Sequence, residues 1–141
     1  MSVASVPARL TVRRRAVLAA RIWWLAARVR RDVHRVPLPD LVARLDEHAV
    51  TAGRRHDARR LGAAVAHALT VGGRRPTCLV QSLVLYALLR AQGARPQLVI
   101  GLPDGAVSAD AHAWIELDGA DVGPPPGRAE HVALARYGGC R

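Results

Sequence analysis

A stretch rich in helix breakers, Gly72-Gly73-Arg74-Arg75-Pro76-Thr77, runs directly into an apolar segment from Cys78 to Ala91. Breakers followed by an apolar run of that length predict a helix over 78–91 that opens on a cysteine. A cysteine in the first helical turn sits among backbone N–H groups that have no intrahelical partner, at the positive end of the helix dipole. Both effects stabilise a thiolate. Cys78 is therefore a candidate nucleophile, Thr77 a candidate N-cap, and the Cys78 N–H a candidate oxyanion donor.

A second feature supports this reading. Ala111-His112-Ala113-Trp114-Ile115-Glu116-Leu117 alternates as a strand should, with His112, Trp114 and Glu116 on one face. A cysteine at a helix start and a histidine on a strand are the two parts that a Cys-His nucleophile pair requires. Each residue also has an ordinary alternative. Free cysteine is often a small buried hydrophobe, and a histidine can simply flank a sheet. Ser82 reads either as a supporting donor or as a helix–helix contact. The histidines at 34, 48, 56, 67 and 131 have no comparable context, and no CxxC or HxxxH spacing offers a metal site. No cofactor is expected.

With 141 residues, half of them apolar, the chain suits one domain spanning 1–141 with an ordinary core. Three Trp, two Tyr and no Phe leave Leu, Val and Ala to fill it. All 21 basic residues are arginine, and the net charge of +10 favours acidic partners such as a peptide or an anionic surface. None of the recognised nucleic-acid modules is present, so nucleic-acid binding is not expected. Two cysteines make no disulfide framework, and the arginine-rich start lacks a secretory pattern, which points to a cytoplasmic protein. The apolar segment Ala16–Val29 carries Arg21 and Arg28 and is too short and too charged to span a bilayer.

Along the chain, residues 1–70 read as helical and basic. A first helix is expected over Arg9–Arg35, ended by Val36-Pro37-Leu38-Pro39. A second follows over Leu41–Val50 with Asp40 as N-cap, and a third over His56–Leu69. The first helix has three open readings: a solvated face covering the core, a dock for a partner, or a membrane-surface helix using Ile22, Trp23, Trp24 and Leu25. Residues 71–141 then supply the Cys78 helix with Gly93 as C-cap and strands over Gln97–Gly101, Asp110–Leu117 and Ala120–Gly123. Asp118-Gly119 is a two-residue hairpin turn, Pro124-Pro125-Pro126-Gly127 ends the sheet region, and Cys140 is an idle thiol in the tail. Helices first and an antiparallel sheet last make an α+β fold.

Pro76-Thr77-Cys78-Leu79-Val80-Gln81-Ser82-Leu83, Gly93, Pro96, Ile100-Gly101 and His112-Ala113-Trp114-Ile115-Glu116 with Asp118-Gly119 resemble one family closely. It is the transglutaminase-like, papain-like cysteine peptidase that removes the leader from lasso-peptide precursors, in its short stand-alone form. The resemblance covers roughly Arg74 to Gly123, and the first half shares only its helical, basic character. It implies that Cys78 attacks, that His112 is the general base, and that an acid orients the imidazole. It also implies three partners: a precursor peptide, a separate leader-recognition protein and an ATP-using macrolactam-forming cyclase.

The chain departs from this family at the orienting acid. The usual Asp, twelve residues after the histidine, falls here on Pro124. With Asp118-Gly119 as the turn, Leu117 pairs with Ala120 and His112 lies across from about Pro125. Asp121 then pairs with Glu116, four residues from His112 and roughly 13 Å away at ~3.3 Å per residue. Asp110 and a backbone group are rival orienters. A degenerate precursor- or cyclase-binding module, or an acyl transferase on the same scaffold, are the alternative functions.

Overall fold

In the computed structural model, residues 12–49, 55–71, 77–103, 111–123 and 131–139 are described. Four helices precede a four-stranded sheet: α1 Val12–Asp32, α2 Leu38–Glu47, α3 Ala58–Thr70, α4 Cys78–Ala91, then β1 Gln97–Pro103, β2 His112–Leu117, β3 Ala120–Gly123 and β4 His131–Gly138. The strands are antiparallel and lie in the order β3-β2-β1-β4. This is the expected α+β arrangement.

The central element is α4, which is apolar on every side and therefore has to be enclosed. Val80 to Tyr86 are all buried, as are Leu88, Leu89 and Ala91. Helices α1, α2 and α3 all pack on it, and the sheet covers it through β1 and β2. Its bounds follow from local chemistry. The Thr77 side chain accepts a hydrogen bond from the Val80 N–H at 3.3 Å. At the other end Gly93 takes the left-handed conformation, φ 80°. The Gly93 N–H then bonds the Arg90 carbonyl at 2.9 Å and the Ala94 N–H bonds the Leu89 carbonyl at 3.1 Å. This paired closure satisfies carbonyls that the helix would otherwise leave open. Gly93 thus ends the helix as expected, one residue beyond the cap itself, Gln92.

The other helices are shifted from their expected bounds. Helix α2 starts at Leu38 with Pro37 as N-cap, and Asp40 lies inside its first turn. Proline is well tolerated in a first turn, where no intrahelical N–H bond is needed, so Pro39 admits the helix where it was expected to delay it. Helix α3 starts at Ala58, with Asp57 accepting from the Arg60 N–H at 3.0 Å. Helix α1 ends at Asp32, where the chain turns through Val33–Val36.

Helix α1 buries Ile22, Leu25, Ala26 and Val29 against the core. Ile22 and Leu25 are thus unavailable to a membrane surface, whereas Trp23 and Trp24 are 46% and 58% exposed. The Arg28 guanidinium lies over the Trp24 ring, 5.3 Å from its centroid. No described helix is long and apolar enough to cross a membrane.

The sheet extends further than expected. Pro124-Pro125-Pro126-Gly127 does not end it, because β4 returns to pair with β1 on the far edge. Its sequence, His131-Val-Ala-Leu-Ala-Arg-Tyr-Gly, is poor in strand-forming side chains, and Val132, Ala133 and Leu134 are exposed. A bulge opposite Ile100/Gly101 skips Leu134, which therefore has no partner on β1. The Asp118-Gly119 turn has φ 52° and 79°, the left-handed pair of a tight hairpin.

Candidate active site

Cys78 is the first residue of α4, half-buried and a free thiol. Its side chain stands at the helix end where the first N–H groups have no intrahelical partner, an arrangement that receives negative charge.

One hydrogen bond fixes where that helix end lies relative to the sheet. Ser82 Oγ, fully buried, donates to the Ala113 carbonyl at 3.0 Å. Ser82 is one turn after Cys78 on the same face of α4, and Ala113 is the residue after His112. The expected helix–helix role of Ser82 is thus replaced by a helix–strand bond. At the other end, Leu89, Gln92, Gly93 and Ala94 line a cavity together with Leu117 and Asp118. Helix α4 and strand β2 therefore run parallel, with their starts together. From the tether, Cys78 lies ~6 Å further along the helix and His112 ~3.3 Å further along the strand in the same direction.

The faces of β2 divide as the alternation requires. Ala113 and Ile115 join the core around α4, while His112, Trp114 and Glu116 share the opposite face. The imidazole of His112, at the end of the strand, stacks on Trp114 with ring centroids 5.9 Å apart and 22° between planes. Trp114 is held in turn: its Nε1–H donates to Glu116 Oε1 at 3.2 Å. Arg136 from β4 donates to Glu116 Oε2 at 2.6 Å and to Gln97 Oε1 at 3.3 Å. Gly101 makes room for the indole, because a Cβ there would stand 2.6 Å from the Trp114 ring and 2.8 Å from the Val132 carbonyl.

His131 is the residue that sequence reasoning passed over. It opens β4, opposite Pro103, and its ring reaches across the middle strand to within 5.4 Å of His112 and 5.8 Å of Trp114, centroid to centroid. The only sequence signal was its place at the head of His131-Val132-Ala133-Leu134-Ala135-Arg136, a segment that did not read as a strand.

Asp121 sits where the hairpin register put it, opposite Glu116. Its Oδ1 accepts from the Gly123 N–H at 2.8 Å. The bulge in β3 comes after Asp121, between the partners of Ile115 and Glu116, and so does not carry it toward His112. Asp110, Pro124, Pro125 and Cys140 lie outside the described residues. Among the described residues, no three His, Cys, Asp or Glu side chains converge as a metal site.

A second polar cluster joins α2 to α4. Buried Tyr86 donates to Asp46 Oδ1 at 2.7 Å, and Arg90 Nε lies 2.8 Å from the same oxygen. Burial above all, then the hydrogen bond and the negative charge of Asp46, push the Tyr86 phenol well above its ordinary range. It stays neutral and acts as a structural donor.

A sequence profile of the Transglutaminase-like superfamily matches residues 3–135. The chain belongs to the transglutaminase-like superfamily. The match takes in the helical half as well as the Cys78–Gly123 region, so α1 to α3 are part of the transglutaminase-like domain and not merely helices of suitable length. Membership sets the general kind of chemistry, cysteine-based peptidase or acyl transfer. No curated protein and no solved structure matches the chain.

Proposed function

We propose that this transglutaminase-like protein is a cysteine peptidase that cuts the leader from a lasso-peptide precursor, with Cys78 as nucleophile and His112 as base. What supports the pair is the parallel, tethered run of α4 and β2: the helix start that bears Cys78 and the strand start that bears His112 lie at one end of the domain, with the His112 ring stacked on Trp114 on the face of β2 away from α4. The lasso-peptide context rests on the motif resemblance around Cys78 and His112.

The reaction is an acyl transfer in two halves. His112 takes the Cys78 thiol proton, and the thiolate attacks the carbonyl carbon of the scissile amide. The C–N bond breaks, the amine of the core peptide leaves with the proton from His112, and the leader remains on Cys78 as a thioester. Water then gives a proton to His112 and attacks the thioester, releasing the leader carboxylate and restoring the thiol. On this reading the backbone N–H of Cys78, at the start of α4, donates to the oxyanion.

On this reading the chain works in the cytoplasm beside a leader-recognition protein that presents the precursor and a macrolactam-forming cyclase that consumes the core. The exposed, arginine-rich face of α1, with Trp23 and Trp24, is the surface available to such partners.

The test is mass spectrometry of a cognate precursor incubated with its recognition protein and this chain. Cleavage by the wild type, lost in Cys78→Ala and His112→Ala and kept in Asp121→Asn, supports the reading. A wild type that binds precursor without cleaving it supports the binding-module alternative, and transfer to an added amine supports the acyl transferase.

A further inference from the structure

The indole of Trp114, two residues after His112 on β2, is pinned at both ends. Its Nε1–H donates to Glu116 Oε1 at 3.2 Å, and its six-membered edge lies in the slot that Gly101 leaves open. Glu116 is itself held from β4, two strands away. Arg136 Nη1 bonds Glu116 Oε2 at 2.6 Å and, on the intervening strand, Gln97 Oε1 at 3.3 Å. Val99 stands between Trp114 and Arg136 in the ladder and has no solvent exposure, although it faces away from α4. These side chains form one closed layer across three strands, on the face that carries the His112 ring.

We propose that Glu116 is a positioning residue for His112, acting through Trp114, with Arg136 as its counter-ion; the proposal rests on the Cys78–His112 reading above. The link to the base is the stack, with ring centroids 5.9 Å apart and 22° between planes. The second torsion of a histidine is broad and has little preference of its own, so the plane of the ring is set by what it lies against. A fixed indole sets that plane, and a loose one does not. The clamp acts on the plane of the imidazole and leaves both ring nitrogens to other partners.

Distance rules out a direct route. Glu116 is four residues from His112, roughly 13 Å along the strand at ~3.3 Å per residue, so it exchanges no proton with the base and its effect passes through the indole. Its two oxygens divide the work: Oε1 takes the indole N–H, and Oε2 takes the guanidinium that keeps the carboxylate in place. The Arg136 side chain is 46% exposed, and an ion pair so open to water adds little to stability. Its consequence is geometric, and small displacements of a reacting group weigh heavily on rate.

The test reads the ring and the thiol separately, in a Cys140→Ser background. The two readouts are the His112 ring C–H signals, which the ring current of the indole displaces, and the rate at which iodoacetamide alkylates Cys78. Urea midpoints confirm folding. Glu116→Ala should move the His112 signals toward those of an unstacked histidine and slow alkylation ~10-fold, whereas Glu116→Gln, which still accepts from the indole, should keep the signals and stay within ~3-fold of the parent. Trp114→Phe keeps a ring but has no N–H for Glu116 to hold. It should lose as much as Glu116→Ala, and adding Glu116→Ala to it should slow alkylation no further. Parental signals or parental alkylation in Glu116→Ala or Trp114→Phe overturn the proposal. So does a Glu116→Gln variant as slow as Glu116→Ala, or a full further loss in the double variant, and the Cys78–His112 pair stands in each of these cases. If His112→Ala alkylates like the parent, the pair fails and the role of Glu116 in the reaction fails with it.

Discussion

Ser82 Oγ donates to the Ala113 carbonyl at 3.0 Å, from a serine with no solvent exposure to a residue only 2% exposed. This single bond sets the helix that begins with Cys78 in register with the strand that begins with His112. Removing it by Ser82→Ala should cost about 1 kcal/mol in urea unfolding. It should also lower the alkylation rate of Cys78 through looser placement of the helix start. An unchanged urea midpoint would show that α4 and β2 hold their register without the bond.

Gly101→Ala should destabilise the domain by about 1–3 kcal/mol, because the added methyl meets the Trp114 ring on one side and the Val132 carbonyl on the other. A backbone oxygen in a ladder cannot step aside, so the indole has to move. A change in Trp fluorescence should accompany the lost stability, and a variant with parental emission and parental midpoint would contradict the packing described.

Tyr86→Phe removes the donor to Asp46 while filling the same space, and should cost about 1–2 kcal/mol at neutral pH. The pH dependence has a definite sign. The folded protein holds the phenol above its ordinary value, so it retains this proton where the unfolded chain loses it. The resulting stability is fully present below about pH 10 and is lost as pH rises past that value. Urea midpoints measured above about pH 10 should therefore fall more steeply in the parent than in Tyr86→Phe. Parallel alkaline loss in the two proteins would contradict the buried-donor account.

Thr77→Ala should destabilise by about 1 kcal/mol by leaving the Val80 N–H without its cap, and Thr77→Ser should restore most of that. The comparison is read by thermal unfolding. Equal melting of Thr77→Ala and the parent would mean that the chain before α4 supplies the cap in another way.

The legible parts of this chain were those where local chemistry decides structure. The helix over 78–91, its Thr77 cap and the Asp118-Gly119 turn all follow from residues within a few positions of one another, and so does the pairing of Asp121 with Glu116. That pairing correctly removed Asp121 from the neighbourhood of His112. The parts that were missed depend on distant partners. Strand β4 is held by β1 and has little strand propensity of its own, so neither its existence nor the approach of His131 to His112 could be read from its local sequence. Ser82 reads in sequence as either a supporting donor or a helix–helix contact, and the choice between them is not local, because its acceptor lies 31 positions away. Pro39 misled by the opposite route, since a breaker inside a helix is a permitted residue at its start.

The central claim is that Cys78 carries the acyl group of the cut peptide. The most direct test is intact-mass spectrometry of this chain, acid-quenched during turnover of a cognate precursor. The account predicts an adduct on Cys78 with the mass of the leader less water, removed by hydroxylamine and absent from Cys78→Ala. Cleavage that proceeds with no adduct and survives in Cys78→Ala would contradict it.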